Sequence, residues 1–423
     1  MGRTMRIVLL WICVAAGAPA GARGQTPLAG GSLNIDQAVN EALDRNLSLL
    51  AERFNVTVAA ASVVTAGLRP NPVVTVSAML PDQVLVDAGV SVREGVVRTD
   101  YVVERGGKRE RRIDQATLAR SVAELQLLNA TRTLVLDVER AFTDVQLTKL
   151  NLTLARENLV AFTSVVAVNT ERVRTGDLSQ VELSRSRLAA LQFENDVEQQ
   201  AAKLSIARSR LGTLIGRGPG GDGLDVAGEL RHGTDGLDRA VLAMRAVDQR
   251  PDLRAAKRDQ ARSVADLRLQ LANAKVDYTI SGEYHRQASG GHSGNTYGLF
   301  VSAPLPIVNR NQGEVARALA QQQQLDAKTK ALEVGIASEL DAAFSQYIAV
   351  RRIVERIEND MLAQAREVRT TMEYSYRRGE ASFVEFLDAV RAFNDTTQSY
   401  NQARADYARS LYELDAISGK VTP

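Results

Sequence analysis

A seven-residue hydrophobic repeat runs along two long segments of the chain and predicts helices over about 110–174 and 312–377. A helix of roughly 60 residues extends for about 90 Å, which is longer than a single globular core requires. Two shorter segments, 178–215 and 381–418, carry the same repeat, and we expect them to fold back along the long helices as antiparallel coiled coils. The repeat consists of Val138, Val145, Leu152, Leu159, Val166 and Val173, then Leu340, Tyr347, Val354, Met361 and Val368, with Leu183, Ala190, Val197, Leu204, Leu211, Phe386, Phe393, Tyr400, Tyr407 and Leu414 on the return helices.

Between these helices the hydrophobic period changes to two, which predicts amphipathic strands. In 278–285 the apolar Tyr278, Ile280 and Tyr284 alternate with polar residues, and 97–104 alternates in the same way. We expect two hairpins, at about 72–104 and 276–304. Apolar and polar faces of this kind are typical of the wall of a water-filled membrane barrel, although two soluble hairpins with one buried face would alternate similarly.

Four strands are too few to close a barrel around a channel, so the membrane interpretation requires an oligomer. Three copies would supply a barrel of about twelve strands above a cylinder of helices. The predicted fold class is therefore mainly α with a β-barrel portion: a trimeric twelve-stranded barrel, with four strands per chain, on a long coiled-coil helical tunnel.

The chain contains this plan twice, with a period of about 203 residues. A helix of about 30 residues begins each half, at 35–68 and 238–274. RTGDLSQVEL (174–183) corresponds to RRGEASFVEF (377–386), and RLGTLIG (210–216) to ELDAISG (413–419), whereas the heptad positions of the long helices correspond at an offset of 202. We therefore predict an internal duplication, divided into an export signal at 1–24, a first repeat at 25–216, a linker or equatorial segment at 217–236 and a second repeat at 237–423.

The first 24 residues have the pattern of a secretory signal. Arg3 and Arg6 precede an apolar run at 7–16, and small residues follow up to expected cleavage points after Ala22 or Gly24. An apolar run of about ten residues is too short to span a bilayer, so we predict export and not a membrane anchor.

Cys13, the only cysteine, lies inside this signal. A lipoprotein would need a small residue just before the cysteine, and Ile12 stands there, so we expect no lipid anchor and a mature chain without disulfides or thiolate metal sites. No later stretch has 18 consecutive apolar residues, so we also expect no transmembrane helix.

Charge and composition exclude several functions. The 52 basic and 50 acidic residues almost balance, so no strong field indicates nucleic acid. No phosphate-binding GxxxxGK[ST] loop occurs, and His232, His285 and His292 lie outside any nucleophile motif, so the sequence does not indicate an enzyme or a cofactor. The last two histidines flank HRQASGGHSG (285–294), which we interpret as an exposed loop and not as a metal site.

Two segments that join the predicted hairpins to the long helices have more distinctive sequences than the helices themselves. ERGGKRERRIDQA (104–116) and APLPIVNRNQGEVARA (303–318) follow the two hairpins, and together with the duplicated plan they resemble the TolC-like outer membrane efflux proteins over about 33–419. GGKR and PLPIxxRNQG are most similar to the outer-membrane component of heavy-metal systems of the cobalt–zinc–cadmium type. The basic residues of the first segment are expected at the junction of barrel and helices, near lipid headgroups, and not on a nucleic-acid site; they are Arg105, Lys108, Arg109, Arg111 and Arg112.

The resemblance implies a passive homotrimeric channel in the cell outer membrane, with its helical tunnel in the periplasm. A periplasmic adaptor (membrane fusion protein) would join it to an inner-membrane pump of the resistance-nodulation-division (RND) class, which supplies the energy. Heavy-metal cations are the implied cargo. A duct for drugs or secreted proteins, and a soluble periplasmic coiled-coil adaptor or structural protein, remain as alternatives.

The turns at the far ends of the two helical hairpins are the first candidate site. A glycine in each turn is expected to end its helix in a left-handed conformation, and an acidic residue follows near the next helix N-terminus. Pure capping would explain both features, and the resemblance adds docking to the adaptor. The candidate residues are Arg174, Gly176 and Asp177 in one tip, and Arg377, Gly379 and Glu380 in the other.

The second candidate site is the acidic pair Glu385 and Asp388, whose spacing of three places both carboxylates on one helix face. An acidic pair on an exposed helix can be simply solvated. The resemblance implies instead that both residues line the periplasmic entrance, where threefold symmetry would gather six carboxylates and favour cations. Crowded like charges would then titrate partly at mildly acidic pH.

Overall fold

The computed structural model describes residues 32–79, 93–218, 223–233, 236–289 and 292–420, so the predicted export signal lies outside the described residues. The two halves of the chain contain the same order of elements: two short helices, two strands, a long helix and a return helix. In chain order these are α1 (Ile35–Arg45), α2 (Leu47–Ala66), β1 (Val73–Met79), β2 (Arg93–Val103), α3 (Lys108–Thr175), α4 (Gln180–Leu214), α5 (Arg239–Gln249), α6 (Pro251–Asn273), β3 (Tyr278–Ser289), β4 (His292–Ser302), α7 (Gln312–Arg356), a π-helical turn (Ile357–Met361), α8 (Leu362–Arg378) and α9 (Phe383–Ile417).

The helix that begins each half is broken, whereas the sequence predicted one continuous helix. Asn46 ends α1 and caps α2, because its side-chain oxygen accepts from the Leu49 amide at 3.0 Å. The same side chain donates to the Leu214 carbonyl at 2.9 Å and so ties the break to the end of α4. In the second half the break falls at Arg250, where Pro251 has no amide hydrogen to continue α5 and begins α6 instead.

The predicted heptad stripe is buried or half-buried in the first half and partly exposed in the second. Val138 and Val145 are fully buried in α3, and Leu340 and Tyr347 are buried in α7. The prediction was wrong at Met361 and Val368, which are 44% and 49% exposed. The cause lies in the π-helical turn that precedes α8.

A π-helical turn closes hydrogen bonds over five residues instead of four, so it holds one extra residue without rotating the rest of the helix. The stripe therefore resumes one position later, at the half-buried Leu362 and Arg369 and the buried Tyr376. This one extra residue in the second half explains why corresponding positions are 202 residues apart in the heptads but 203 residues apart at the tips.

A hydrophobic core forms in each half where a short helix packs on the long and return helices. In the first half it contains Phe142, Leu211 and Ile215, together with Leu33 and Val226, which pair as a parallel bridge. In the second half the corresponding cluster has Leu242 of α5 against residues of α7 and α9, among them Tyr347, Tyr407 and Leu414.

The four strands per chain that the sequence predicted are confirmed. They form one antiparallel sheet in the order β1-β2-β3-β4. The central pair joins the two halves of the chain, with Val103 opposite Tyr278 and Arg93 opposite Ala288. Strands β1 and β4 are the edges of the sheet.

Helix α2 differs from the expectation that no transmembrane helix exists. Its 20 residues are apolar enough to cross a membrane by length and composition, and only 6% of the apolar window is buried. The helix runs beside the start of α3, however, where Arg109 and Arg112 donate to the Gly67 and Ala66 carbonyls. This charged neighbour favours a helix-packing role for the apolar surface of α2.

Candidate functional site

The two faces of the sheet differ in chemistry. Cross-strand register places one set of apolar side chains on a single face, and most of them are exposed in the chain. They are Val74, Val76, Val97, Tyr101, Val103, Tyr278, Ile280, Tyr284, Tyr297, Leu299 and Val301. The opposite face carries mostly polar and charged side chains, which in a closed sheet would face water. Its apolar members are Val73, Met79, Val96, Val102 and Phe300.

The charged residues at the centre of the polar face form a network around Arg98. Arg98 donates through Nε to Asp100 at 2.8 Å and through Nη2 to Ser281 at 3.1 Å, and Glu283 lies 4.0 Å from its guanidinium. The guanidinium also lies 5.6 Å from the centroid of the Phe300 ring. Both strands of the central pair contribute, so the network links the two halves of the chain across the sheet.

The histidines of the second hairpin fall at different places. His285 lies on the polar face with Nε2 2.5 Å from Glu94 Oε1, while His292 begins β4. Part of the loop between them lies outside the described residues. Within the described part of the chain, no three histidine, aspartate or glutamate side chains come together as metal ligands.

Both hairpin tips end on a left-handed glycine, as predicted. Gly176 ends α3 with φ +86° and Gly379 ends α8 with φ +80°. In the first tip the Asp177 amide donates to the Arg172 carbonyl at 2.8 Å, and the second tip has the same bond pattern. This double closure of a helix end is a Schellman motif, which requires positive φ and so explains the glycines.

The charged residues of the tips are exposed. Arg174 donates to Glu171 at 2.8 Å and Arg377 to Glu373 at 2.6 Å, each within its own helix. Asp177 accepts from the Thr175 hydroxyl at 2.7 Å, and Glu380 is exposed. Neither Asp177 nor Glu380 caps the helix that follows it, so both carboxylates remain on the surface of the tips.

Serines cap the return helices. Ser179 caps α4, and Ser382 caps α9. Glu385 completes a capping box, because its carboxylate accepts from the Ser382 amide at 2.8 Å and from the Ser382 hydroxyl at 2.9 Å. These bonds, with the backbone bond foremost, lower the pKa of Glu385. Asp388 lies one turn further on the same exposed face, so the structure brings the predicted pair together and gives Glu385 a capping role as well.

An aromatic cluster just inside the tips was not predicted. Tyr376 of α8 stacks on Phe386 with ring centroids 5.2 Å apart, and Phe162 of α3 also stacks on Phe386, with centroids 5.8 Å apart. The Tyr376 hydroxyl donates to the fully buried Asn169 Oδ1 at 2.8 Å. The cluster joins the helical hairpins of the two halves, and it escaped the sequence analysis because the π-helical turn shifts Tyr376 into the stripe.

Comparison with known proteins gives consistent results. The family model described as outer membrane efflux protein matches residues 38–217 and again 242–420. The cobalt-zinc-cadmium resistance protein CzcC of Cupriavidus metallidurans is 22% identical over 395 residues, which cover 93% of this chain and 91% of CzcC. The outer-membrane channel OprN superposes with a TM-score of 0.75 at 19% identity, covering 91% of this chain and 90% of OprN. CusC, whose structures concern transmembrane channel formation, has a TM-score of 0.72 at 17% identity over 91% of this chain and 92% of CusC.

Proposed function

This chain belongs to the outer membrane efflux protein family, and we propose that it is the outer-membrane channel of a tripartite efflux system. Three copies would form the channel, with the sheet in the outer membrane and the helices in the periplasm. The channel is a passive conduit. A periplasmic adaptor connects it to an inner-membrane RND pump, which supplies the energy for export. The two halves arose by internal duplication, in keeping with their shared order of elements.

The amphipathic four-stranded sheet is the observation that carries this proposal. Its apolar face has no partner among the described residues of a single chain, and its polar face holds the charge network around Arg98. Both edge strands leave backbone groups unpaired, and such edges are satisfied when a sheet closes. Three copies joined edge to edge would remove every edge and supply about twelve strands.

The exposed stripe of α2 supports the same association. Leu50, Phe54, Val58 and Leu68 recur along one side of the helix and its end, and they are between 42% and 65% exposed. Exposed apolar surface of this extent on a helix marks a packing interface. A neighbouring copy would cover it in the proposed trimer.

The cargo we propose is heavy-metal cations. The support is similarity to CzcC, whose name states cobalt, zinc and cadmium resistance, and the acidic pair at the proposed periplasmic entrance. Glu385 and Asp388 of three copies would place six carboxylates there, and a ring of carboxylates favours cations.

The hairpin tips are the proposed adaptor-docking surface. Arg174, Asp177, Arg377 and Glu380 are exposed there. Changing Gly176 or Gly379 to Val should cost about 1–2 kcal/mol locally, since a β-branched residue resists positive φ. Crosslinking to the adaptor should fall while trimers persist. Asparagine at the same positions tolerates positive φ and is the matched control; equal crosslinking in the Val and Asn variants would argue against docking at the tips.

Two measurements test the channel and its cargo. The mass of the detergent-purified protein should correspond to three copies, and it should conduct ions in a planar bilayer; a stable monomer extracted without detergent would indicate a soluble periplasmic protein instead. In cells, deletion of the gene for this protein should increase the sensitivity of the strain to zinc, cobalt or cadmium. A strain that becomes sensitive only to dyes or antibiotics would identify a drug duct.

A further inference from the structure

A recess lies where the sheet meets the helices, and its walls are of two kinds. It has a volume of about 330 Å³. Pro70, Tyr101 and Val103 form an apolar wall, while Arg69, Lys108 and Arg109 form a basic one. Tyr101 and Val103 belong to the apolar face of the sheet, so the recess borders that face, while Val102 of the opposite face also lines it.

The basic wall keeps an excess of positive charge. Lys108 is 8% exposed and is bonded to Asp277 at 2.7 Å, so its charge is compensated. Arg109 donates only to a backbone carbonyl, that of Gly67, at 2.6 Å. Among the described residues, neither Arg69 nor Arg109 has a carboxylate within ion-pair distance.

Two acidic residues also line the recess and reduce that charge. Glu104 is already engaged by Arg112 through both of its oxygens. Glu110 is the other. Its negative charge reduces the two positive charges of Arg69 and Arg109 to a net charge of one positive unit. A single phosphodiester carries the complementary charge, and guanidinium groups bind phosphate oxygens with good geometry.

The surroundings of the recess also have the character of a membrane interface. After Ser302, at the same end of the sheet, Leu305, Ile307 and Val308 are 79%, 72% and 84% exposed. The loop that carries them is held in place, since Asn311 donates to the Gln270 carbonyl at 2.8 Å. Apolar side chains presented next to arginines suit the boundary between acyl chains and headgroups.

We propose that this recess binds the headgroup phosphate of an anionic phospholipid, with Arg69 and Arg109 on the phosphate and the acyl chains against Tyr101 and Val103. The inference rests on the proposed function, in which the apolar face of the sheet contacts lipid. Each trimer would then hold three such lipids at the periplasmic edge of its barrel. The sites would fix the depth of the channel in the membrane.

Native mass spectrometry of purified trimers with added phosphatidylglycerol or phosphatidylcholine tests the proposal. The wild type should retain up to about three phosphatidylglycerol molecules per trimer and no phosphatidylcholine, because only the former has net negative charge. The Arg69→Gln/Arg109→Gln double variant should retain at least about tenfold less. Arg185→Gln/Arg187→Gln is the matched control, since both are exposed arginines of α4, and it should bind as the wild type does.

Each outcome is decisive. Equal phosphatidylglycerol retention by the recess and control variants would overturn the proposal, as would equal retention of both lipids by the wild type. Should the Gln variant fail to assemble, Arg69→Lys/Arg109→Lys keeps the charge and should retain phosphatidylglycerol if the recess is a phosphate site. A disulfide between Pro70→Cys of one copy and Ile307→Cys of the next would put a protein segment in the recess and overturn lipid binding. Failure of the wild type to form trimers would contradict the proposed channel instead.

Discussion

At the residue scale, two glycines determine how closely the return helices approach the broken helices. Gly216 follows α4 with φ +76°, and an added Cβ would lie 2.7 Å from the Arg45 carbonyl oxygen. Gly419 follows α9 with φ +81°, and an added Cβ would lie 2.8 Å from the Arg250 amide nitrogen. The two halves thus use the same contact, in which a left-handed glycine packs against the break between two short helices.

Gly218 provides an internal control for this contact. Its φ is +70°, but no atom lies within 4 Å of an added Cβ. Both Gly216→Ala and Gly218→Ala should cost about 1–2 kcal/mol for the left-handed backbone. Only Gly216→Ala should lose about 1–3 kcal/mol more through overpacking. Thermal unfolding of the detergent-solubilised protein measures the difference, and equal losses in the two variants would contradict the close approach.

The capping box gives a second residue-scale prediction. Glu385→Gln with Asp388→Asn removes both charges, and Gln at this position still accepts the capping bond. The variant should form trimers whose single-channel currents lose cation preference under a salt gradient. If the reversal potentials of variant and wild type coincide, the two carboxylates are solvated helix surface and do not line an entrance.

The pH dependence of that preference follows from the pKa of Glu385. The Ser382 bonds lower this pKa, so the carboxylate remains charged as pH falls from neutral and loses its charge only below its ordinary range, about 4.3. Crowding of like charges in a ring acts in the opposite direction, and for that reason the sequence led us to expect partial titration at mildly acidic pH. We expect the capping bonds to dominate at Glu385, so the reversal potential of the wild type should be the same at about pH 7 and pH 5. A loss of cation preference by pH 5 would show that repulsion dominates.

At the element scale, sequence patterns predicted the long helices, the return helices and the strands, because each has a strong hydrophobic period. They did not predict the breaks at Asn46 and Arg250, where a side-chain cap and a proline interrupt an otherwise helical pattern. The tip glycines could be recognised from sequence because a helix end needs a residue that accepts positive φ. The contact of Tyr376 with Asn169 could not, since it joins residues 207 apart.

Because the π-helical turn holds one extra residue, we expect single-residue deletions in α3 and in this turn to differ in their effect on stability. Removing the exposed Asn359 should convert the turn into regular α-helix and leave Leu362, Arg369 and Tyr376 on the packed side. Removing Glu157, its counterpart 202 residues earlier in α3, should rotate the rest of that helix by about 100°. Loss of Phe162 from its buried site would then cost about 3–5 kcal/mol.

Thermal unfolding and limited proteolysis of the two deletion variants measure this difference. We expect the variant lacking Asn359 to match the wild type, and the variant lacking Glu157 to unfold at a lower temperature and be cut near the tip. If both deletions destabilise the protein equally, the π-helical turn does not hold a removable residue.

At the scale of the whole molecule, the described chain leaves three kinds of surface without a partner: the apolar face of the sheet, its two edges and the stripe along α2. A single copy cannot cover them, whereas a closed ring of copies in a bilayer would. Sequence alone gave the reason for this association, since four strands cannot form a channel. It did not identify the exposed stripe along α2, because the pattern over 35–68 predicted only one continuous helix and no transmembrane segment.

Neighbouring residues on opposite faces of the two edge strands, β1 and β4, test the orientation of the sheet. Val76 and Tyr297 lie on the apolar face, and Ser77 and Thr296 follow or precede them on the polar face. A lysine on a lipid-facing position costs about 2–4 kcal/mol near the middle of the bilayer, while a lysine facing water inside a barrel costs little. We therefore expect Val76→Lys/Tyr297→Lys to reduce the amount of trimer in outer-membrane fractions severely. Ser77→Lys/Thr296→Lys should assemble normally, because the added charges remain solvated. Gel mobility of unheated trimers measures both variants in the same preparation, and normal assembly of the first variant would show that the apolar face does not contact lipid.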